Sequence, residues 1–160
     1  MKQDTTQNSS TVGSDDGQRM GNFAEAAGKI LAISYPVLAL STGARAVYQL
    51  FFKEGVTDRL PPALTAIAAL LYLVATVGFT WRTKPAWMVS VSALTLELVG
   101  IAVVGTLSYT NPDLVGETAW RHFGADYGYF PFIQPVLGLI WLLHPQTVRA
   151  FGIRRAPASS

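Results

Sequence analysis

Cysteine is missing from all 160 residues. Its absence excludes disulfides, thiolate metal sites, cysteine nucleophiles and palmitoyl anchors. Charge is scarce as well: 14% of residues are Asp, Glu, Lys or Arg, and the formal net charge of +2 is too small to argue for a nucleic-acid partner. Histidine occurs only at positions 122 and 144. The topology expected from the charge pattern puts His122 and His144 on opposite membrane faces, so neither a paired-histidine haem site nor a histidine metal cluster is expected within one chain. Glu117, His122 and Asp126 match no recognised metal spacing. No glycine-rich phosphate loop or nucleophile elbow occurs either. The expectation is a protein that is no enzyme and carries no cofactor and no metal.

What the chain has in abundance is apolar sequence. Half of its residues are hydrophobic, and they are gathered in blocks long enough to cross a bilayer, each near the roughly 20 residues that span about 30 Å. The blocks predict crossings at about 29–52, 61–81, 86–107 and 129–144. The fourth is shorter and carries Pro131, Gln134 and Pro135, so a re-entrant segment is its alternative; a crossing is favoured because prolines are tolerated in first turns. Residues 1–24 are polar, with nothing to bury against chain entropy, and read as a disordered cytoplasmic tail. No basic stretch precedes the first apolar block, so that block is expected to stay as an anchor and not as a removed signal. Residues 149–160 form a basic tail.

Lysine and arginine then orient the chain. Four crossings place Lys2, Arg19, Lys29, Arg82, Lys84, Arg149, Arg154 and Arg155 inside and Lys53, Arg59 and Arg121 outside, as the positive-inside rule requires, with both termini cytoplasmic. The fold class expected is an all-α membrane protein: an antiparallel four-helix transmembrane bundle over 25–148, with a short interfacial helix in the third loop. That helix is placed over Asp113 to Phe123, with Leu114, Trp120 and Phe123 facing inward. Trp120, His122 and Phe123 are the candidate outer-loop interaction residues.

Polar positions at helical spacing predict a seam on the inner faces: Ser41, Tyr48 and Gln49 in the first span, Tyr72 and Thr76 in the second, Ser90 in the third and Gln134 in the fourth. Hydroxyl and amide groups of this kind join helices for about 0.6 kcal/mol each. Two full charges fall within the apolar blocks, Arg45 and Glu97. Charges at membrane depth are expensive and mark either a buried pair or a working site. Counted at about 1.5 Å per residue from the inner ends, they lie roughly 22 and 16 Å up their helices. That offset, about one arginine side chain, predicts an intramembrane ion pair, direct or bridged by water.

Three segments carry a resemblance. Residues 35–46 (YPVLALSTGARA), 60–64 (LPPAL) and 130–138 (FPFIQPVLG) are similar to stretches of small uncharacterised integral membrane proteins of actinobacteria. The likeness covers about 34–141 and implies a bacterial plasma-membrane location. Composition, topology and resemblance together lead to a polytopic inner-membrane protein surrounded by the lipid bilayer. It is read as a non-enzymatic accessory or scaffold subunit, in a homo-oligomer or a larger membrane complex. The alternative is a small proton-linked transporter using Glu97 and Arg45.

Overall fold

Proline decides where most of the helices begin. A computed structural model describes residues 7–55 and 58–153, with the order α1 (Gln7–Phe51), α2 (Leu60–Thr80), α3 (Lys84–Thr110), α4 (Pro112–Val115), a 3-10 segment (Arg121–Tyr127), α5 (Phe130–Leu143) and α6 (Pro145–Ala150), and no strand among the described residues. Pro61, Pro85, Pro112, Pro131 and Pro145 all stand in first turns, where a missing N–H costs least. Asp58 accepts from the Leu60 N–H at 2.9 Å and Thr83 from the Ala86 N–H at 3.4 Å, satisfying orphan donors at two starts.

Among the described residues, three helical stretches are long and apolar enough to cross a membrane: Gly21–Phe51, α2 and α3. α5 has 14 residues, roughly 21 Å of helix, and falls short of that length. α1 extends down to Gln7, where composition predicts a disordered tail. Lengthening an existing helix needs no new nucleus, so a polar stretch can continue an apolar one. Residues 1–6, with Lys2, and residues 154–160, with Arg154 and Arg155, lie outside the described residues.

α1 packs on α2, α2 on α3, and α3 on α5. The buried stripe of α1 is Leu31, Tyr35, Ala39, Thr42, Ala46 and Gln49, a run of three- and four-residue steps. It corrects the predicted seam: Ser41 is exposed and Tyr48 points outward, 59% exposed. Each sits one position before a buried residue, about 100° round the helix. Small residues let α1 lie close to α2, and that contact outweighed the polar positions in choosing the face.

The two ends of the helix assembly are well defined. At one, Gly21, Glu25, Arg82, Gln146 and Thr147 line a pocket of about 300 Å³. At the other, Gln49, Lys53, Asp58, Pro61 and Glu117 line one of about 240 Å³. These are called the Arg82 end and the Glu117 end. The start of α1, the α2–α3 turn and α6 therefore share the Arg82 end, and α5 connects it with the loop that carries Glu117.

That loop differs from the single interfacial helix predicted over Asp113 to Phe123. α4 stops after one turn, because Gly116 takes a positive φ of 55° beside Pro61, where a Cβ would lie 2.7 Å from its Cγ. Leu114 is exposed, and Val115 is the buried neighbour. Past Gly116 the chain turns down into the helices: Trp120 is buried and Phe123 sits on Gly105.

Candidate functional site

α3 presents Ser90, Leu94, Glu97 and Ile101 on one buried face. Glu97 is 0% exposed, and neither carboxylate oxygen has a hydrogen-bond partner among the described residues. α1 brings Tyr35 and α2 brings Tyr72 to the same place. Both are also fully buried, their rings meet edge to face at 6.1 Å and 74°, and neither hydroxyl has a hydrogen-bond partner among the described residues. Each lies within electrostatic range of Glu97.

α5 closes the remaining side. Gly138 admits Leu94 and the Tyr35 hydroxyl, which would lie 2.9 and 3.3 Å from a Cβ there. α5 runs opposite to α3, so Gln134, one turn before Gly138, comes level with Glu97, one turn after Leu94. The Gln134 Nε2 donates to Ser34 Oγ at 2.5 Å, while its Oε1 has no partner. α1, α2 and α3 thus bring Tyr35, Tyr72 and Glu97 together, and α5 packs beside them through Gly138.

Aromatic rings flank this group. Towards the Arg82 end, Tyr35, Phe79, Trp141 and Phe151 follow one another at centroid distances of 5.0, 5.6 and 6.3 Å. Towards the Glu117 end lies Trp120, whose ring occupies the space that a side chain at Gly100 would need, 2.6 Å from the Cβ position. Gly100 is one turn beyond Glu97, so Trp120 packs on the next turn of α3 towards the Glu117 end. Its indole lies beside the Tyr72 hydroxyl, though not in hydrogen-bonding geometry.

The expected Arg45–Glu97 ion pair is not formed. Arg45 donates from Nη1 to the Tyr127 hydroxyl at 2.6 Å and reaches Glu117 from Nη2 at 3.5 Å. Its guanidinium also stands 5.6 Å from the centre of the Tyr127 ring. Its side chain is 41% exposed, near the Glu117 end, whereas Glu97 is fully buried. Arg45 is instead engaged by the loop through Tyr127 and Glu117.

Among the other seam positions, Gln49, Tyr72, Ser90 and Gln134 are buried. Thr76 is half-buried and donates back to the Tyr72 carbonyl in its own helix at 2.8 Å, so it joins nothing across the seam. Ser90 is a structural pin between α2 and α3: its hydroxyl accepts from the Gly78 N–H at 2.7 Å and donates to the Ala75 carbonyl at 2.8 Å. Of the outer-loop residues, Trp120 is buried and His122 and Phe123 are half-buried. His122 stacks on Tyr109 at 4.7 Å, and its backbone N–H donates to Ser108 Oγ at 2.9 Å.

Sequence reasoning missed Tyr35, Tyr127 and Glu117. Tyr35 lies four residues before Ala39 and seven before Thr42, a signal visible only to a reading that takes small residues as the packing face. Tyr127 and Glu117 have no local signal, since they meet Arg45 only through the folded loop.

The class of molecule defined by these features is an all-helical protein with, among the described residues, three membrane-length helices and a carboxylate buried among them. No protein-family model, curated protein or solved structure matches the chain.

Proposed function

We propose that this is a four-crossing protein of the bacterial plasma membrane, with both termini cytoplasmic, and that it acts as a small proton-linked transporter through Glu97. α5 supports the fourth crossing: it is short, yet it starts at the Glu117 end and delivers α6 to the Arg82 end. Arg82, Lys84 and Arg149 then lie on the cytoplasmic side.

The observation that carries the transport reading is the isolation of Glu97. A carboxylate retained only as a structural rivet would be held by a fixed counter-charge, because an unpaired buried charge is strongly destabilising. Arg45 is engaged with Tyr127 and Glu117. Glu97 instead lies near the Tyr35 and Tyr72 hydroxyls, and intramembrane carboxylates of this kind are typical of proton relays. The role given to Arg45 changes accordingly, from partner of the carboxylate to fastener of the outer loop.

The test uses purified protein in liposomes containing a pH-sensitive dye, challenged with a panel of small organic cations and anions under a pH gradient. Proton movement evoked by at least one compound, and lost in Glu97→Gln, is expected. A protein that moves no protons with any of them contradicts the reading.

The second reading, a non-enzymatic accessory or scaffold subunit, is favoured by the apolar groove between α1 and α5, about 380 Å³ and lined by Phe23, Ile30, Leu137 and Ile140. Purification in mild detergent decides for it if a foreign subunit copurifies in fixed stoichiometry and Glu97→Gln is without effect.

A further inference from the structure

At the Glu117 end, the pocket of about 240 Å³ between the end of α1, the start of α2 and the loop is lined by more acceptors than donors. Gln49 is its buried member, 9% exposed, and its Oε1 has no hydrogen-bond partner among the described residues. Buried polar atoms are nearly always bonded, so an amide oxygen left open in a pocket wall marks a place for a donor from outside the chain. Two carboxylates join it. Asp58 accepts from the Leu60 N–H at 2.9 Å through Oδ1, and Glu117 meets Arg45 at 3.5 Å through Oε2. Their second oxygens, Asp58 Oδ2 and Glu117 Oε1, take no hydrogen bond among the described residues.

The rest of the lining offers little competition for these oxygens. Pro61 and Pro62 have no backbone N–H to donate, and Pro61 is fixed against Gly116, where a Cβ would lie 2.7 Å from its Cγ. Lys53 also lines the pocket, but it is exposed, and its flexible stem can carry the ammonium out into water. Open acceptor oxygens from three segments, two of them on carboxylates, match the three N–H donors of a primary ammonium group.

We propose that this pocket binds a small primary amine in its ammonium form, held by Gln49, Asp58 and Glu117. Recognition by N–H donors gives a selectivity that charge alone does not. A quaternary ammonium ion carries the same charge but no N–H, so it leaves the buried Gln49 oxygen unpaired, the kind of loss by which polar sites reject close analogues. Asp58 carries the larger share of the attraction, because Arg45 offsets the charge of Glu117. Lys53 opposes the incoming cation and keeps binding weak, which suits a mouth that must release what it takes. The binding itself stands without proton-linked transport; only the step from bound amine to transported compound rests on that reading, in which the amine enters or leaves at the outer side.

The test is equilibrium dialysis of radiolabelled propylammonium chloride against the full chain in phosphatidylcholine nanodiscs at low ionic strength, with empty discs subtracted. Propyltrimethylammonium chloride is the analogue without donors. Saturable binding of propylammonium, about tenfold or more tighter than that of the analogue, is expected. Asp58→Asn keeps an oxygen for the Leu60 N–H and is expected to weaken binding about fivefold, the upper end for an exposed ion pair. Glu117→Gln weakens it less, Gln49→Leu about tenfold, and Lys53→Gln tightens it. Thermal melting shows whether Gln49→Leu is folded; Asp58→Asn, at the surface, is the decisive variant. Equal binding of the two ions, binding unchanged in Asp58→Asn, or no saturable binding overturns the proposal. If that happens while Glu97-dependent proton movement persists, the amine site alone fails; saturable, Asp58-dependent binding without proton movement leaves the site standing and overturns transport.

Discussion

At the scale of single residues, Arg45 and Glu97 act separately. The Arg45→Glu, Glu97→Arg double swap is therefore expected to melt no higher than the worse of its two single variants, whereas a true pair would be rescued. Arg45 and Tyr127 are expected to couple, with a double-mutant cycle of Arg45→Ala and Tyr127→Phe giving about 1 kcal/mol, the middle of the range for such bonds, held down here by exposure. Glu117 adds less, being farther away and mostly exposed. A coupling indistinguishable from zero between Arg45 and Tyr127 would contradict the geometry. Ser90→Ala removes a group that both accepts and donates inside the α2–α3 contact, and about 1–3 kcal/mol of stability should be lost, read from denaturation in detergent. Ser41→Ala, on an exposed face, should change almost nothing.

At the scale of elements, the loop between α3 and α5 acts as a plug. Its position depends on glycine at two places: Gly100 and Gly105 leave the space that Trp120 and Phe123 fill. The absence of native cysteine makes single-cysteine labelling clean. Thr118→Cys, at a buried site, is expected to resist a membrane-impermeant maleimide in the otherwise native chain. It should become reactive when Gly100→Leu expels the indole. Equal reactivity in both backgrounds would show that the loop is not seated. The long helices α1, α2 and α3 were legible because apolar length and proline punctuation are local properties of the sequence. The rotation of α1 was not. Ser41, Tyr48 and Gln49 look alike as polar residues at helical spacing, and only the close approach to α2 decides that Ala39, Thr42 and Ala46 face inward with Gln49 while Ser41 and Tyr48 do not. The loop was less legible still, because Gly116 breaks the amphipathic pattern through a backbone angle that hydrophobic spacing does not encode.

At the scale of the whole molecule, apolar side chains cover the outer faces of the helices, among them Leu40, Leu70, Leu96, Val103 and Ile140, while polar side chains such as Ser90, Glu97 and Gln134 are buried between them. A bilayer rewards the first arrangement, and the second is costly unless it is used. Four crossings require Asp58→Cys to react from one side of the membrane and both Lys84→Cys and Gly152→Cys from the other; Gly152 reacting with Asp58 would make α5 re-entrant. Glu97 itself was visible in the sequence as a charge in an apolar block, but its company was not. Tyr35, Tyr72, Gln134 and Trp120 come from four separate segments, and the partner that depth counting assigned to it is taken by the loop. The central claim, that Glu97 is an isolated working carboxylate and not half of a fixed ion pair, is tested most directly by infrared difference spectroscopy of the full chain in lipid across a pH titration. A carboxyl band that changes with pH, is absent from Glu97→Gln and persists in Arg45→Ala is predicted. A band that never changes, or one that changes only when Arg45 is removed, would contradict it.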